Sequence, residues 1–369
     1  MISICKPTPV KNEKNFVMEC LDNNWIGPNG KFCKGLEKQF KDYCNVKYAS
    51  VVNSGTAALH LGLLSLGIGK GDEVICPDFT MIACTNSIIY TGAIPVFVDA
   101  DLNTWNMDVN KIEEKITNKT KAIMVVDIYG NPNDADKINE IAKKHNLKVI
   151  NDACESFGAD YKGKKVGSLY DVTCFSLYSN KTVQCGNGGV IVTDDEKIDK
   201  KCKLLRDHAF EKPRFIHNEI GYNYKLTDIQ AAIAVAQMNQ ADKLVKARIN
   251  NAKLYNEQLK DIKGITLPPD CLYGTNVHWM YGILVDKEVY GMDKDSLMEV
   301  LKRTGIETRS FFYPSNKQPV YQKMKNIECK GKYPISDILY EKGLYLPSSS
   351  NLTQIEINKV CEAIKSFSK

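Results

Sequence analysis

Three short stretches carry residues whose chemistry could be put to use. The first is FSLYSNKTVQCGNGGVIV, residues 175–192. An alternating apolar segment leads into Lys181. A loop of small and polar residues follows (Cys185, Gly186, Asn187, Gly188, Gly189), then a β-branched run, Val190-Ile191-Val192. A lysine on a turn between strands is ordinarily a solvated surface residue. A lysine that forms a Schiff base needs burial and nearby positive charge to release its proton. The second stretch is LKVIN, residues 147–151, ending at Asp152. An aspartate there ordinarily caps or faces solvent. It can instead keep a pyridinium nitrogen protonated, so that the ring accepts electrons from a carbanion. The third is Asn53-Ser54-Gly55-Thr56-Ala57-Ala58, between a strand and a helix. Such a turn offers free N–H groups and a positive dipole end to a phosphate. An ordinary helix start capped by Ser or Thr explains these residues at least as well.

The elements that must position these residues follow from periodicity. Short apolar strands are predicted at 48–52, 72–76, 95–98, 121–128 and 147–151. They alternate with helical segments at 35–44, 57–66, 81–91, 112–116 and 134–145. This alternation predicts an α/β domain around a mostly parallel sheet. Ligands bind such sheets at the carboxyl ends of the strands, where Asn53–Thr56, Asp127 and Asp152 fall. Residues 1–34 read as short and irregular, with Pro7, Pro9 and a Gly27-Pro28-Asn29-Gly30 turn. A charged helix is predicted at 196–210 and a loop at 211–226. One long helix runs from Asp228 to about Leu259. Residues 264–269 read as a domain junction. A smaller α/β domain follows, with a strand at 276–285 and helices at 294–303, 337–342 and 354–366. The predicted division is 1–260 for the large domain and 261–369 for the small one.

Composition narrows the classes. The 369 residues are 43% hydrophobic and 25% charged, enough for a large domain plus a smaller one. The net charge of +5 is scattered, which argues against nucleic acid. No apolar run approaches the ~20 residues of a membrane span, and the first residues lack the apolar core of a signal peptide. Thirteen cysteines without C-x-x-C pairs suggest reduced cytoplasmic thiols. Five dispersed histidines predict no metal site.

Taken together, Asp152 followed by Lys181, behind the Ser54-Gly55-Thr56 turn, is the chain order of fold-type I pyridoxal phosphate enzymes. The sequence resembles the DegT/StrS family of sugar aminotransferases over nearly its full length. The resemblance rests on WIGPNGKFCKGLEKQF, VVNSGTAALHLGLLSLGIGKGDEVICPDFT, VFVDAD, IYGNP, NDACESFGADYKGKKVGSLYDVTCFSLYSNKT, GNGGVIVT, GYNYKLTDIQAAIA and GIETRSFFYPSNKQPVY. It implies that Lys181 is the internal aldimine lysine and proton shuttle, and that Asp152 pairs with the pyridinium nitrogen. Glu155 would lie near the phenolic oxygen. The Ser54-Gly55-Thr56-Ala57 turn, chiefly Thr56 and Ala57, and Ser176 would hold the phosphate. Asn223, in GYNYKL, would reach the phosphate across a homodimer interface. The implied reaction takes an amino group from L-glutamate and places it on a ketone.

Several positions depart from the family pattern. Met81 stands where an aromatic residue often stacks on the cofactor, and a Met can still pack on a ring face. Asp127 and Asn131 stand in DIYGNP where the family often reads HIYGHP. Lys225 replaces an Arg that would clamp phosphate in bidentate fashion, and Asn316 replaces a common His. With Tyr313, the residues Asp127, Lys225 and Asn316 are candidates for substrate contact. HWMYG at 278–282 and TRSFFYPSNKQPVY at 308–321 are similar to the perosamine-synthase branch, which implies a 4-keto-6-deoxyhexose nucleotide as acceptor. A smaller ketone without a nucleotide, phosphorylated or not, is the alternative. A sugar dehydratase of the same fold has His where Lys181 stands, and a non-catalytic binding protein has no need of Asp152, Ser176 and Lys181 together.

Overall fold

The β-branched and apolar runs form one seven-stranded sheet in a computed structural model that describes residues 1–368. Its order is Tyr48–Val52, Gly189–Thr193, Val172–Ser176, Lys148–Asp152, Thr120–Val126, Glu73–Pro77 and Ile94–Val98. Only Gly189–Thr193 runs against its neighbours. Strands 48–52, 148–152 and 172–176 therefore end at the same edge. Gly189 begins at that edge, paired with both Val52 and Ser176. The connection that carries Lys181 leaves and re-enters the sheet there.

The helix Gly55–Ser65 follows the first strand and is buried from Ala57 to Leu63. Ser54 caps it: Ala57 N–H donates to Ser54 Oγ at 3.1 Å. The helix lies close on the sheet, so a Cβ at Gly62 would meet Ile150 Cδ1 at 2.8 Å. All-round burial also explains why its sequence is apolar rather than amphipathic.

A second, antiparallel sheet has the order Ile265–Thr266, Tyr281–Val285, Gly343–Leu346, Arg309–Ser310. Helices Ala241–Leu259, Lys294–Arg303 and Gln354–Ser366 share its core through Tyr255, Leu297 and Ile357. Ile2 joins the same core and bridges to Ile306, so the chain's first residues lie with the small sheet.

The structure corrects several expected elements. Residues Glu13–Asp22 form a helix inside the stretch read as irregular. Only Cys20 is buried in it, and Met18 and Leu21 are exposed, so no apolar period marked it. The expected long helix is two, Asp228–Met238 and Ala241–Leu259. Gln240 leaves helical geometry at φ −121°, ψ 14°. The strand expected at 276–285 is confined to Tyr281–Val285, and Gly274–Thr275 pairs instead with Asp160–Tyr161. Residues 113–115 form a 3-10 turn in place of the expected helix. The C-terminal part holds a strand that periodicity missed, Gly343–Leu346, directly after helix Pro334–Lys342. No described helix is long and apolar enough to cross a membrane.

Candidate active site

A cavity of about 390 Å³ opens at the shared strand edge, within the ~300–1,000 Å³ usual for small-molecule sites. On the large-sheet side it is walled by Ser54, Gly55, Thr56, Met81, Asp152, Glu155, Ser176 and Lys181. Eight residues proposed from sequence thus converge on one space. Sheet register explains this: Asp152 and Ser176 end neighbouring strands, and Asp152 pairs directly with Cys174.

At one end the first turn of helix Gly55–Ser65 points its N–H groups into the cavity. The Gly55 and Thr56 N–H groups have no intrahelical acceptors. The packing here requires glycine twice. A Cβ on Gly55 would meet Ser176 Cβ at 2.9 Å, and one on Gly189 would meet the Ser54 carbonyl at 2.4 Å. The lysine loop and the helix start are thereby pressed together. Ala57 is a correction to the sequence reading: it does not line the cavity, and its N–H is already engaged by Ser54 Oγ.

In the middle, Asp152 is buried with both oxygens oriented. Oδ1 accepts from the Cys154 N–H at 3.0 Å, and Oδ2 accepts from the Cys84 thiol at 2.8 Å. Opposite stands Lys181, whose Nζ lies 4.0 Å from Glu155 Oε1 and 3.5 Å from the Trp279 ring centroid. That distance places the ammonium on the face of the indole. Glu155 is fixed from behind, where the Tyr129 N–H donates to its Oε2 at 2.8 Å. Tyr129 holds a left-handed backbone (φ 52°, ψ 14°) to do so.

Burial pushes the Glu155 carboxyl up to about 7, against the opposing pull of the Lys181 cation. The sign of the linkage follows. Well below its ordinary value of 4.5, both folded and unfolded chains hold the proton. As pH rises, the unfolded chain releases it first, so a stability penalty grows toward about 7 and is complete above it. Glu155→Gln should therefore stabilise the ligand-free protein progressively from about pH 5 to about pH 8, by about 2–3 kcal/mol at the upper end. Melting temperatures of both proteins across that range test this. A difference between them that does not change with pH would remove the assignment.

The remaining candidates lie elsewhere in this chain. Asp127 is buried and faces away from the cavity, accepting from Asn133 N and Nδ2, Asn151 Nδ2 and Ser156 Oγ. It braces the Tyr129–Asn133 turn and cannot contact a substrate there. Asn316 is also buried, its N–H donating to Asp78 Oδ1 at 2.7 Å. Tyr313 is partly exposed and packs edge-on against Tyr340, with ring centroids 4.9 Å apart. Lys225 forms an ion pair with Asp207, beside the Arg206–Glu37 pair. Asn223 is exposed, and its carbonyl accepts from Asn53 Nδ2 at 3.4 Å. None of these five lines the cavity.

The opposite wall was missed from sequence. It comprises Trp279, Arg309, Phe312 and Tyr345 from the C-terminal part, with Asn180 beside Lys181. Trp279 sits in HWMYG, and Arg309 and Phe312 in TRSFFYP, so the motifs were legible although their direction was not. Tyr345 carried no local signal. Together the walls bring a nucleophilic amine, an oriented carboxylate and a helix N-terminus to one largely apolar space. That set can hold an anion at one end, fix a protonated ring nitrogen, and move a proton at a carbon between them.

Known proteins carry the same arrangement of chain. A family model for the DegT/DnrJ/EryC1/StrS aminotransferase family matches residues 7–365. The GDP-perosamine synthase of Escherichia coli O157:H7 is 41% identical over 367 residues, covering 99% of this chain and 98% of the relative. Among solved structures, Helicobacter pylori PseC is an aminotransferase involved in the biosynthesis of pseudoaminic acid. It superposes with a TM-score of 0.93 at 27% identity, covering 99% of this chain and 98% of that one. DesI, solved in the presence of its TDP-sugar product, superposes with a TM-score of 0.92 at 26% identity, covering 99% and 92% of the two chains. This chain belongs to the DegT/DnrJ/EryC1/StrS aminotransferase family and is an aminotransferase.

Proposed function

We propose that the protein uses pyridoxal 5′-phosphate to move the amino group of L-glutamate onto a 4-keto-6-deoxyhexose carried on a nucleotide. The observation that carries the cofactor is the convergence of Lys181, Asp152 and the Gly55–Ser65 helix start on one cavity. The pocket chemistry fits the group at each point. The free Gly55 and Thr56 N–H groups and the Ser176 hydroxyl suit a phosphate, while Asp152 suits a protonated ring nitrogen. Among the described residues, Lys181 is the one lysine that lines the cavity.

When bound, the cofactor supplies an electron sink for the charge left on a carbon that loses a proton. The chain does the rest. Asp152, its oxygens kept in place by Cys154 and Cys84, would keep the ring nitrogen protonated. Lys181, whose Nζ faces the cavity, would hold the cofactor and, with its amine free, would serve as the general acid–base that moves a proton at carbon. Glu155, ionising near neutrality, stands within reach of that amine. Met81 lines the cavity and would pack on a face of the cofactor ring. Trp279, Phe312 and Tyr345 exclude water from the reacting atoms.

The nucleotide sugar is supported by the GDP-perosamine synthase relative and by DesI with its TDP-sugar product. The acting unit is proposed as a homodimer, with Asn223 of each chain completing the phosphate site of the other. Its exposure, and its position outside this chain's own cavity, favour that role. The thirteen cysteines are free, which fits a reducing, cytoplasmic setting.

Purified protein should take up the cofactor with a visible absorbance band, and borohydride should leave the label on the Lys181 peptide. Glutamate-dependent turnover should appear with keto sugar nucleotides and not with small keto phosphates. A protein that stays colourless would end the cofactor reading. Turnover of small ketones alone would replace the acceptor, and a monomer by sedimentation at working concentration would remove the shared site.

A further inference from the structure

We propose that Arg248 is a positioning residue for Lys181, acting through the Asn180 carbonyl and the indole of Trp279. This rests on the aminotransferase reading of Lys181 given above.

Arg248 lies on helix Ala241–Leu259 and is 3% exposed. Its hydrogen bonds go to neutral groups. Nη1 donates to the carbonyls of Trp279 and Ser348, Nε to Ser350 Oγ at 3.1 Å, and Nη2 to the Asn180 carbonyl at 3.3 Å and to Cys5 Sγ at 3.6 Å. A buried cation is costly unless its donors are satisfied. The guanidinium fork meets that need with acceptors from four separate segments. Those segments are the N-terminal stretch at Cys5, the lysine loop at Asn180, the approach to the small sheet at Trp279, and the segment Ser348–Ser350. One side chain thus ties the lysine loop to the opposite cavity wall.

The Asn180 carbonyl is the point where these ties meet. It also accepts from Trp279 Nε1 at 2.9 Å and from Cys5 Sγ at 3.3 Å. Asn180 immediately precedes Lys181. Trp279 is therefore held twice, at its carbonyl by Arg248 and at its indole nitrogen by Asn180. Its ring face then meets Lys181 Nζ. Backbone and tip of the lysine are referenced to the same rack. A covalent anchor that later moves a proton needs that precision, since a misplacement of ~1 Å can cost ~10²-fold in rate.

The test uses the full-length protein with Arg248→Lys and Trp279→Phe. Lysine keeps the buried charge but cannot form the fork, and phenylalanine keeps an aromatic face but has no N–H for Asn180. In both variants, the visible band should form from cofactor-free protein and pyridoxal phosphate about 10-fold or more slowly, and its circular dichroism should change. The kcat should fall by about 10- to 100-fold, with KM for glutamate and for the keto sugar within about threefold of wild type. If band formation, dichroism and kcat stay at wild-type values while only the melting temperature drops, Arg248 is structural and the proposal is overturned. If Arg248→Lys does not fold, Arg248→Gln, which keeps a donor but not the fork, decides by the same readouts. A wild-type protein that never acquires the band overturns the cofactor reading and this inference with it. A wild-type band with unaffected variants overturns this inference alone.

Discussion

Lys181→Ala should abolish transamination, lowering turnover by about 10³-fold or more, while the protein folds as before. Among the described residues that line the cavity, Lys181 alone carries an amine able both to anchor the cofactor and to carry a proton between carbons. Its removal ends both roles at once, so loss should appear in single turnovers with either glutamate or the pyridoxamine form of the cofactor. The fold has little reason to suffer. The loop is held by main-chain bonds, Lys181 N–H to the Tyr178 carbonyl at 2.8 Å and Cys185 N–H to the Leu177 carbonyl at 2.9 Å. Glu155 loses its neighbouring cation, but its carboxyl is already pushed up to about 7 and can remain protonated. The melting temperature should move little at neutral pH. Turnover above about 1% of wild type would mean that another lysine does this work. Borohydride labelling of the variant would show which.

Asp152→Asn should cost about 10²- to 10³-fold in kcat, the range seen when one oriented charge-stabilising group is removed. The substitution keeps the side chain's shape. Asn Oδ1 can still accept from the Cys154 N–H, so the strand end should not reorganise. What disappears is the negative charge that keeps the ring nitrogen protonated, and with it the electron sink. Cofactor affinity should fall as well, read by titrating the visible band, and Asp152→Ala should be worse than Asp152→Asn on both measures. A kcat within tenfold of wild type for Asp152→Asn would place the ring nitrogen's partner elsewhere.

These two residues were readable in advance because each is set by local chain direction. Asp152 closes an apolar strand, and a parallel strand delivers its last residue to the ligand edge whatever surrounds it. Lys181 is bracketed by Ser176 and Gly189, which pair across the same register. By contrast, Asp127 also follows a strand end, yet its side chain turns inward to Asn133, Asn151 and Ser156. Period and position could not show that, because three acceptor-seeking neighbours from two other segments decide it. The family resemblance implies a phosphate contact for Ala57, but the Ser54 cap takes its N–H instead.

The far wall illustrates the general limit. Trp279 reaches Lys181 only because Arg248 and Asn180 hold it from segments distant in sequence. Tyr345 arrives on a strand whose existence depends on pairing with Tyr281–Val285 and Arg309–Ser310. By itself, the sequence determined the α/β class, the residues at the strand ends, and the chain order of Asp152, Ser176 and Lys181, because short-range period and turn chemistry encode them. Tertiary structure alone decided which side chains face the cavity and how burial tunes Glu155. It also decided that the small sheet closes the site over the lysine, because non-local packing, rather than propensity, sets side-chain direction and local dielectric.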